Sequence, residues 1–252
     1  MVDPATIAIV FVAGVVGGAM NALAGGGTFA TLPALLATGL PANIANATSN
    51  VALLPGAATS AWAFRDELGP VGGVDVRLLS AITFAGGLVG SLLLVATPSR
   101  TFDVIVPWLV LYAFILLALG TRASAWLAAR MTIGRSTLLC VQALLGIYGG
   151  YFGGGVGLMT TATYGLLAGV TPRAMFAPRT LMLAIANAAA AIVFVGTGMV
   201  AWAACVPMLA GAILGGWGGA AIGRRLPGGA IRAWTLLVTA ATAAVFFWRA
   251  YG

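Results

Sequence analysis

Two triple-glycine runs, Gly25-Gly26-Gly27 and Gly153-Gly154-Gly155, stand 128 positions apart in a chain of 252 residues. Each run closes one apolar stretch and opens another. Each is followed by a short apolar segment, then by a glycine and a proline: Gly39 and Pro41 in the first half, Gly169 and Pro172 in the second. Three further apolar stretches complete each half, so the chain reads as one module written twice. In a membrane chain, apolar segments interrupted by glycine at corresponding places in two halves point to a transport site.

The membrane assignment follows from the residues around those runs. The chain is 61% hydrophobic and only 7% charged, where a soluble domain carries about 25% charge. Several apolar runs are long enough to cross a hydrocarbon core of about 30 Å. Backbone groups have no water there, so the spans are helices or a closed barrel. Strict apolar/polar alternation is absent, which excludes the barrel. Met1-Val2-Asp3-Pro4 lacks a basic stretch, so the first span is read as retained, not as a cleaved signal peptide.

The predicted fold is an all-α integral membrane protein built from two inverted repeats of about five helical segments each, with glycine-broken or re-entrant helix pairs. The expected segments are 7–24, 28–40, 46–64, 76–96 and 103–120, then 137–152, 156–169, 179–196, 201–223 and 230–250. Residues 1–120 form the first repeat, 121–136 a cytoplasmic link with Arg122, Arg130 and Arg135, and 137–252 the second repeat. An odd number of crossings per half inserts the second half upside down. If the first two segments of each half are a re-entrant hairpin, three crossings remain, and the inversion survives.

Charge sets the orientation. All twelve basic residues are arginine. With alternating crossings, Arg65, Arg77, Arg122, Arg130, Arg135, Arg173, Arg224, Arg225 and Arg232 fall on one side, against Arg100 and Arg249 on the other. The positive-inside rule makes the first side cytoplasmic and puts both termini outside, in a multi-pass protein of the cytoplasmic membrane. A nucleic-acid surface would cluster its charge on one solvated face, so no nucleic-acid partner is expected. Gly86-x-x-x-Gly90, Gly211-x-x-x-Gly215, Gly14-x-x-x-Gly18 and Gly146-x-x-x-Gly150 mark close helix packing. Cys140 and Cys205 read as small core residues. There is no histidine, which removes the commonest metal ligand and proton relay. No metal, cofactor or catalytic residue is expected. A membrane protease would need a Ser–His pair, and a metal-dependent phosphotransferase clustered Asp.

The glycine runs are the candidate site. Three consecutive glycines unwind a helix, and unwound backbone is tolerated inside a membrane only where it is buried in protein or lines a cavity. The break frees N–H groups of Gly25, Gly26 and Gly27, and of Gly153, Gly154 and Gly155. The segments restarting at Thr28 and Val156 point positive helix ends at the gaps, which favours an anion. A tight inter-helix turn is the competing reading. Asn21 lies a turn before the first run, and Asn46, Thr48, Ser49 and Asn50 follow Pro41. Counted from the prolines, Thr48-Ser49 corresponds to Arg179-Thr180, and Pro178 should break the helix there.

Arg179 opens an apolar span with no carboxylate nearby in sequence. A buried charge needs a partner, and an oxyanion would serve through bidentate hydrogen bonds. Snorkelling to the cytoplasmic surface is the competing reading. Asn187 and Gln142, also in apolar spans, either line the site or cross-link helices. Asp3, Asp66, Glu67, Asp75 and Asp103 all fall at ends or in loops. With no mid-span proton carrier, potential-driven anion export is expected.

These motifs resemble the TauE/SafE family of sulfite exporters and related anion permeases. The resemblance rests on Gly25-Gly26-Gly27-Thr28, Leu32-Pro33-Ala34-Leu35, Gly39-Leu40-Pro41 and Ala47-Thr48-Ser49, then on Gly153-Gly154-Gly155-Val156-Gly157 and Gly169-Val170-Thr171-Pro172-Arg173. The second half departs from the family pattern with Arg179-Thr180 where a Thr-Ser pair would stand. The resemblance implies a secondary transporter of small anions that exports sulfite, an organosulfonate or a related sulfur-containing or organic anion. An anion channel or a non-transporting membrane subunit is the alternative, and a homo-oligomer stays open.

Overall fold

The structure, a computed structural model, describes residues 3–128, 134–168, 175–223 and 227–252. Ten α-helices run through them: α1 (Pro4–Ala24), α2 (Thr28–Ala37), α3 (Ala42–Ala63), α4 (Val76–Ala96), α5 (Ser99–Ala128), α6 (Arg135–Tyr151), α7 (Val156–Ala168), α8 (Phe176–Gly196), α9 (Trp202–Gly223) and α10 (Gly228–Tyr251). The protein is an all-α integral membrane protein. Six of the helices, α1, α4, α5, α8, α9 and α10, are long and apolar enough to cross a bilayer. Their lipid-facing sides expose large apolar residues such as Val12, Leu92, Trp108, Ile192 and Leu237. Arg130, Arg173, Arg224, Arg225 and the Gly169–Arg173 motif lie outside the described residues.

The helix pairs at the glycine runs are unequal in length. α2 has 10 residues and α7 has 13; at about 1.5 Å per residue they return only about 15 and 20 Å. Neither is long enough to cross the core, whereas α1 with 21 residues is. α3 has 22 residues but is less apolar, because it carries Asn43, Asn46, Thr48, Ser49 and Asn50 on its first turns. Two expectations need correction. α8 begins at Phe176, so Pro178 does not break it: the ring sits in the first turn, where a missing N–H costs nothing. Cys140 is exposed, not packed in the core, while Cys205 is buried.

Packing makes the repeat visible. α1 packs along α9 and α6 along α4; α3 lies on α9 and α8 on α4; α2 touches α10 and α7 touches α5; α3 pairs with α8, and α5 with α10. Adding five to every helix number, counted cyclically, returns the same pattern. The small-residue stripes do the joining. Gly14 and Gly18 face the backbone of Met208 and Ala212, while Gly211 and Gly215 face Phe11 and Val15. Gly86 and Gly90 likewise meet Ala143 and Ile147. Residue numbers rise together in both pairs, so the helices run parallel and their backbones touch.

The self-paired helices run antiparallel. Phe64, just past the end of α3, packs its ring at a tilt against Phe176 at the start of α8, and Thr48 near the start of α3 meets Ala201 beyond the end of α8. Trp108 and Tyr251, and Leu117 and Arg232, set the same sense for α5 and α10. Corresponding helices that meet antiparallel are related by an axis in the membrane plane, which is the inverted repeat expected from the odd segment count.

Candidate functional site

The two glycine bends are buried and touch each other. Gly25 caps α1 with φ 78°, and its N–H donates to Met20 and Asn21 carbonyls. A Cβ on Gly25 would lie 2.6 Å from the Gly157 Cα, at the start of α7. Across the same junction, Gly155 abuts the Phe29 ring, and Phe29 and Phe152 stand with ring centroids 6.3 Å apart. Only glycine permits this approach: both the left-handed φ and the backbone contact exclude a side chain. The bends are therefore tight inter-helix turns, and they are also unwound backbone enclosed by protein.

Not every amide in them is free. Asn21 Oδ1 accepts the Gly27 N–H at 2.9 Å, so Gly25 and Gly27 are committed to holding the first bend. Among the described residues no partner takes the N–H of Gly26, or of Gly153, Gly154 and Gly155.

Arg179 comes to the first bend from the other half of the chain. It is 6% exposed and turns inward, not to the surface. Its Nη2 reaches the carbonyls of Ala22 and Leu23, each at 3.5 Å, at the C-terminal end of α1. These contacts are at the outer limit of a hydrogen bond. The guanidinium also lies over the Phe176 ring at 4.3 Å, a cation–π contact. Nε has no partner, and among the described residues no carboxylate pairs with it. The Asn21 Nδ2 is equally unpartnered. The first bend thus presents a positive charge and spare donors in a buried place.

The second bend has a different chemistry. Asn46 Nδ2 donates to the Tyr151 carbonyl at 3.0 Å, at the C-terminal end of α6, and its Oδ1 is unpartnered. The Asn50 carboxamide abuts Gly153, and neither of its atoms has a partner. Asn187 Oδ1, in mid-α8, is also buried without one. Such groups are uncommon in folded proteins, which makes this bend a candidate for a ligand.

Other candidates are bound into the scaffold. Thr48 Oγ1 accepts the Ala201 N–H at the head of α9, and Ser49 Oγ lies 2.6 Å from Thr31 Oγ1 on α2. Thr180 Oγ1 donates back to carbonyls of its own helix. Thr28 is buried at the start of α2. Gln142 cross-links helices, as one of its two readings has it: Nε2 donates to Thr83 Oγ1, and Oε1 accepts from the Tyr164 hydroxyl, each at 2.6 Å. Sequence reasoning did not place Phe176 or Gly157 in the site. Phe176 sits one turn before Arg179, a spacing that could have suggested the stacked pair; Gly157 entered only as the last residue of the second glycine motif.

A membrane fold of two interlocked inverted repeats, with unpartnered polar groups buried where they meet, is that of a membrane transporter. The chain belongs to the sulfite exporter TauE/SafE family, whose model matches residues 10–246. It is 32% identical over 214 residues to a Haemophilus influenzae protein named "Probable membrane transporter protein", covering 83% of this chain and 82% of that one. It is 30% identical over 216 residues to the Escherichia coli "Probable membrane transporter protein YfcA", covering 85% and 80%. No solved structure gives a significant match.

Proposed function

We propose that the protein is a secondary carrier that exports a small sulfur oxyanion, sulfite or an organosulfonate, across the cytoplasmic membrane. Arg179 carries this reading: a buried guanidinium at the meeting point of the two bends, without a carboxylate beside it and with Nε unpartnered. An oxyanion would take bidentate hydrogen bonds from it and further ones from Asn21 Nδ2 and the Gly26 amide. The amides of Gly153, Gly154 and Gly155 and the carboxamides of Asn46, Asn50 and Asn187 would serve the rest of the substrate. Thr28, Thr48, Ser49 and Thr180 would hold the frame.

The same reading divides the chain into repeats 1–120 and 137–252 joined by the link 121–136. Arg65 and Arg77 face the cytoplasm, and both termini lie outside with Arg100 and Arg249. An inside-negative potential drives an anion outward by about 2.3 kcal/mol per charge per 100 mV. The chain acts as a carrier and not as an enzyme.

Liposomes containing only this protein test the proposal. Saturable, counter-exchanging sulfite or sulfonate flux is expected. Unsaturable flux would make the protein a channel, and no flux with any sulfur oxyanion would make it a subunit. A thermal-shift screen of sulfite, sulfate, thiosulfate, sulfoacetate and taurine names the substrate, because a ligand of the folded state raises stability by mass action. A shift undiminished in Arg179→Ala removes Arg179 from the site.

A further inference from the structure

The inverted repeat allows the two bends to be compared group by group. Leu23 and Tyr151 each stand two residues ahead of their glycine run. Each offers its carbonyl, at a helix C-terminus, to a side chain from the opening turns of the third helix of the opposite half. At the first bend that side chain is Arg179, reaching Leu23 O at 3.5 Å. At the second it is Asn46, reaching Tyr151 O at 3.0 Å. The negative end of α1 therefore faces a built-in cation. The negative end of α6 faces a neutral amide.

Next to that neutral amide stand acceptors with nothing to accept. Asn46 is 0% exposed and Asn50 2%, yet Asn46 Oδ1 and both Asn50 amide atoms have no partner. Asn50 lies against Gly153, where a Cβ would sit 2.5 Å from its Nδ2. With both amide atoms unpartnered, an oxygen is available in either orientation of the group.

We infer that the carbonyl side of the second bend, with the carboxamides of Asn46 and Asn50, binds a monovalent alkali cation, the counterpart in charge of Arg179 at the first bend. Neutral oxygens suit such an ion; calcium and magnesium sites are built on carboxylates, and none of the five acidic residues lies on the helices that form the bend. Helix C-terminal ends and unwound carbonyls are the usual ligands of cations in broken-helix transporters. The ion would neutralise one charge of an oxyanion held between the bends, so flux becomes cation-dependent and moves one less net charge. This site rests on the anion site proposed above, shares the Asn46 and Asn50 carboxamides with its second bend, and goes beyond it by adding a cation.

The test uses the full chain purified in detergent. Thermal unfolding is followed in sodium, potassium and lithium chloride against choline chloride at equal ionic strength, with no sulfur oxyanion present. At least one alkali cation raises the midpoint saturably, Asn50→Ala loses the rise, and Asn50→Asp binds the same cation at least about tenfold more tightly. Equal midpoints in all four salts, or a rise retained in Asn50→Ala, overturn the inference. If Asn50→Ala does not fold, Asn50→Asp decides alone: an unchanged cation affinity overturns it. Sulfite shifts measured in choline are scored separately on Arg179→Ala, so failure of the cation site and failure of the anion site give different results.

Discussion

Replacing Arg179 with methionine separates a ligand-binding arginine from a structural one, because the two roles predict opposite changes in stability. Methionine keeps the unbranched stem that lies against Gly157 and removes the charge. The apo protein loses two carbonyl contacts at 3.5 Å and a cation–π contact at 4.3 Å, together about 2–3 kcal/mol. It also loses the penalty for holding an unpaired charge away from water, which is several kcal/mol. The apo variant is therefore expected to be as stable as the parent, or about 1–3 kcal/mol more stable. Anion binding changes the other way. Two charge-assisted hydrogen bonds at about 1.5–3 kcal/mol each correspond to a loss of about 10²- to 10⁴-fold in affinity. Both quantities come from one experiment: thermal unfolding of parent and variant without ligand and across a sulfite titration, supported by liposome flux. A variant that is markedly less stable without ligand, yet keeps its sulfite response, would make Arg179 a cap for α1 and refute the reasoning.

Three further outcomes are expected. Gly25→Ala forces a side chain into a φ of 78° and against the Gly157 backbone, and the left-handed conformation alone costs about 1–2 kcal/mol; the yield of monodisperse protein should fall sharply, and a normal yield with normal flux would show that the bends tolerate separation. Gln142→Leu leaves the buried Tyr164 hydroxyl and Thr83 without their 2.6 Å partner, costing about 1–3 kcal/mol in unfolding measurements; the double variant with Tyr164→Phe should recover part of that loss, while substrate KM stays at the parental value. Single cysteines placed at Arg100 and at Arg65, in a chain with Cys140 and Cys205 replaced by alanine, test orientation: an impermeant maleimide added to intact cells should label the first and not the second, and the reverse pattern would invert the assignment.

The sequence alone determined a good part of this protein. Helix α4 occupies the expected 76–96 and α1 ends at Ala24 as expected, because span ends are written locally in glycine, proline and arginine. The doubled glycine runs gave the repeat, and the odd segment count gave its inversion. Arg179 stood out because an always-charged residue in an apolar stretch is conspicuous without any structure. The partners were decided only by the tertiary structure. Arg179 reaches a carbonyl 157 positions earlier in the chain, Thr48 spends its hydroxyl on the head of α9, and Asn50 joins the second bend instead of the first. The physical reason lies in the solvent. In water an apolar stripe shows which face of a helix turns inward, but lipid is as apolar as leucine, so hydropathy cannot tell a lipid-facing side from a buried one. What pairs α1 with α9 and α6 with α4 is the fit of glycine backbones against each other across the two halves, and that fit exists only once the chain is folded.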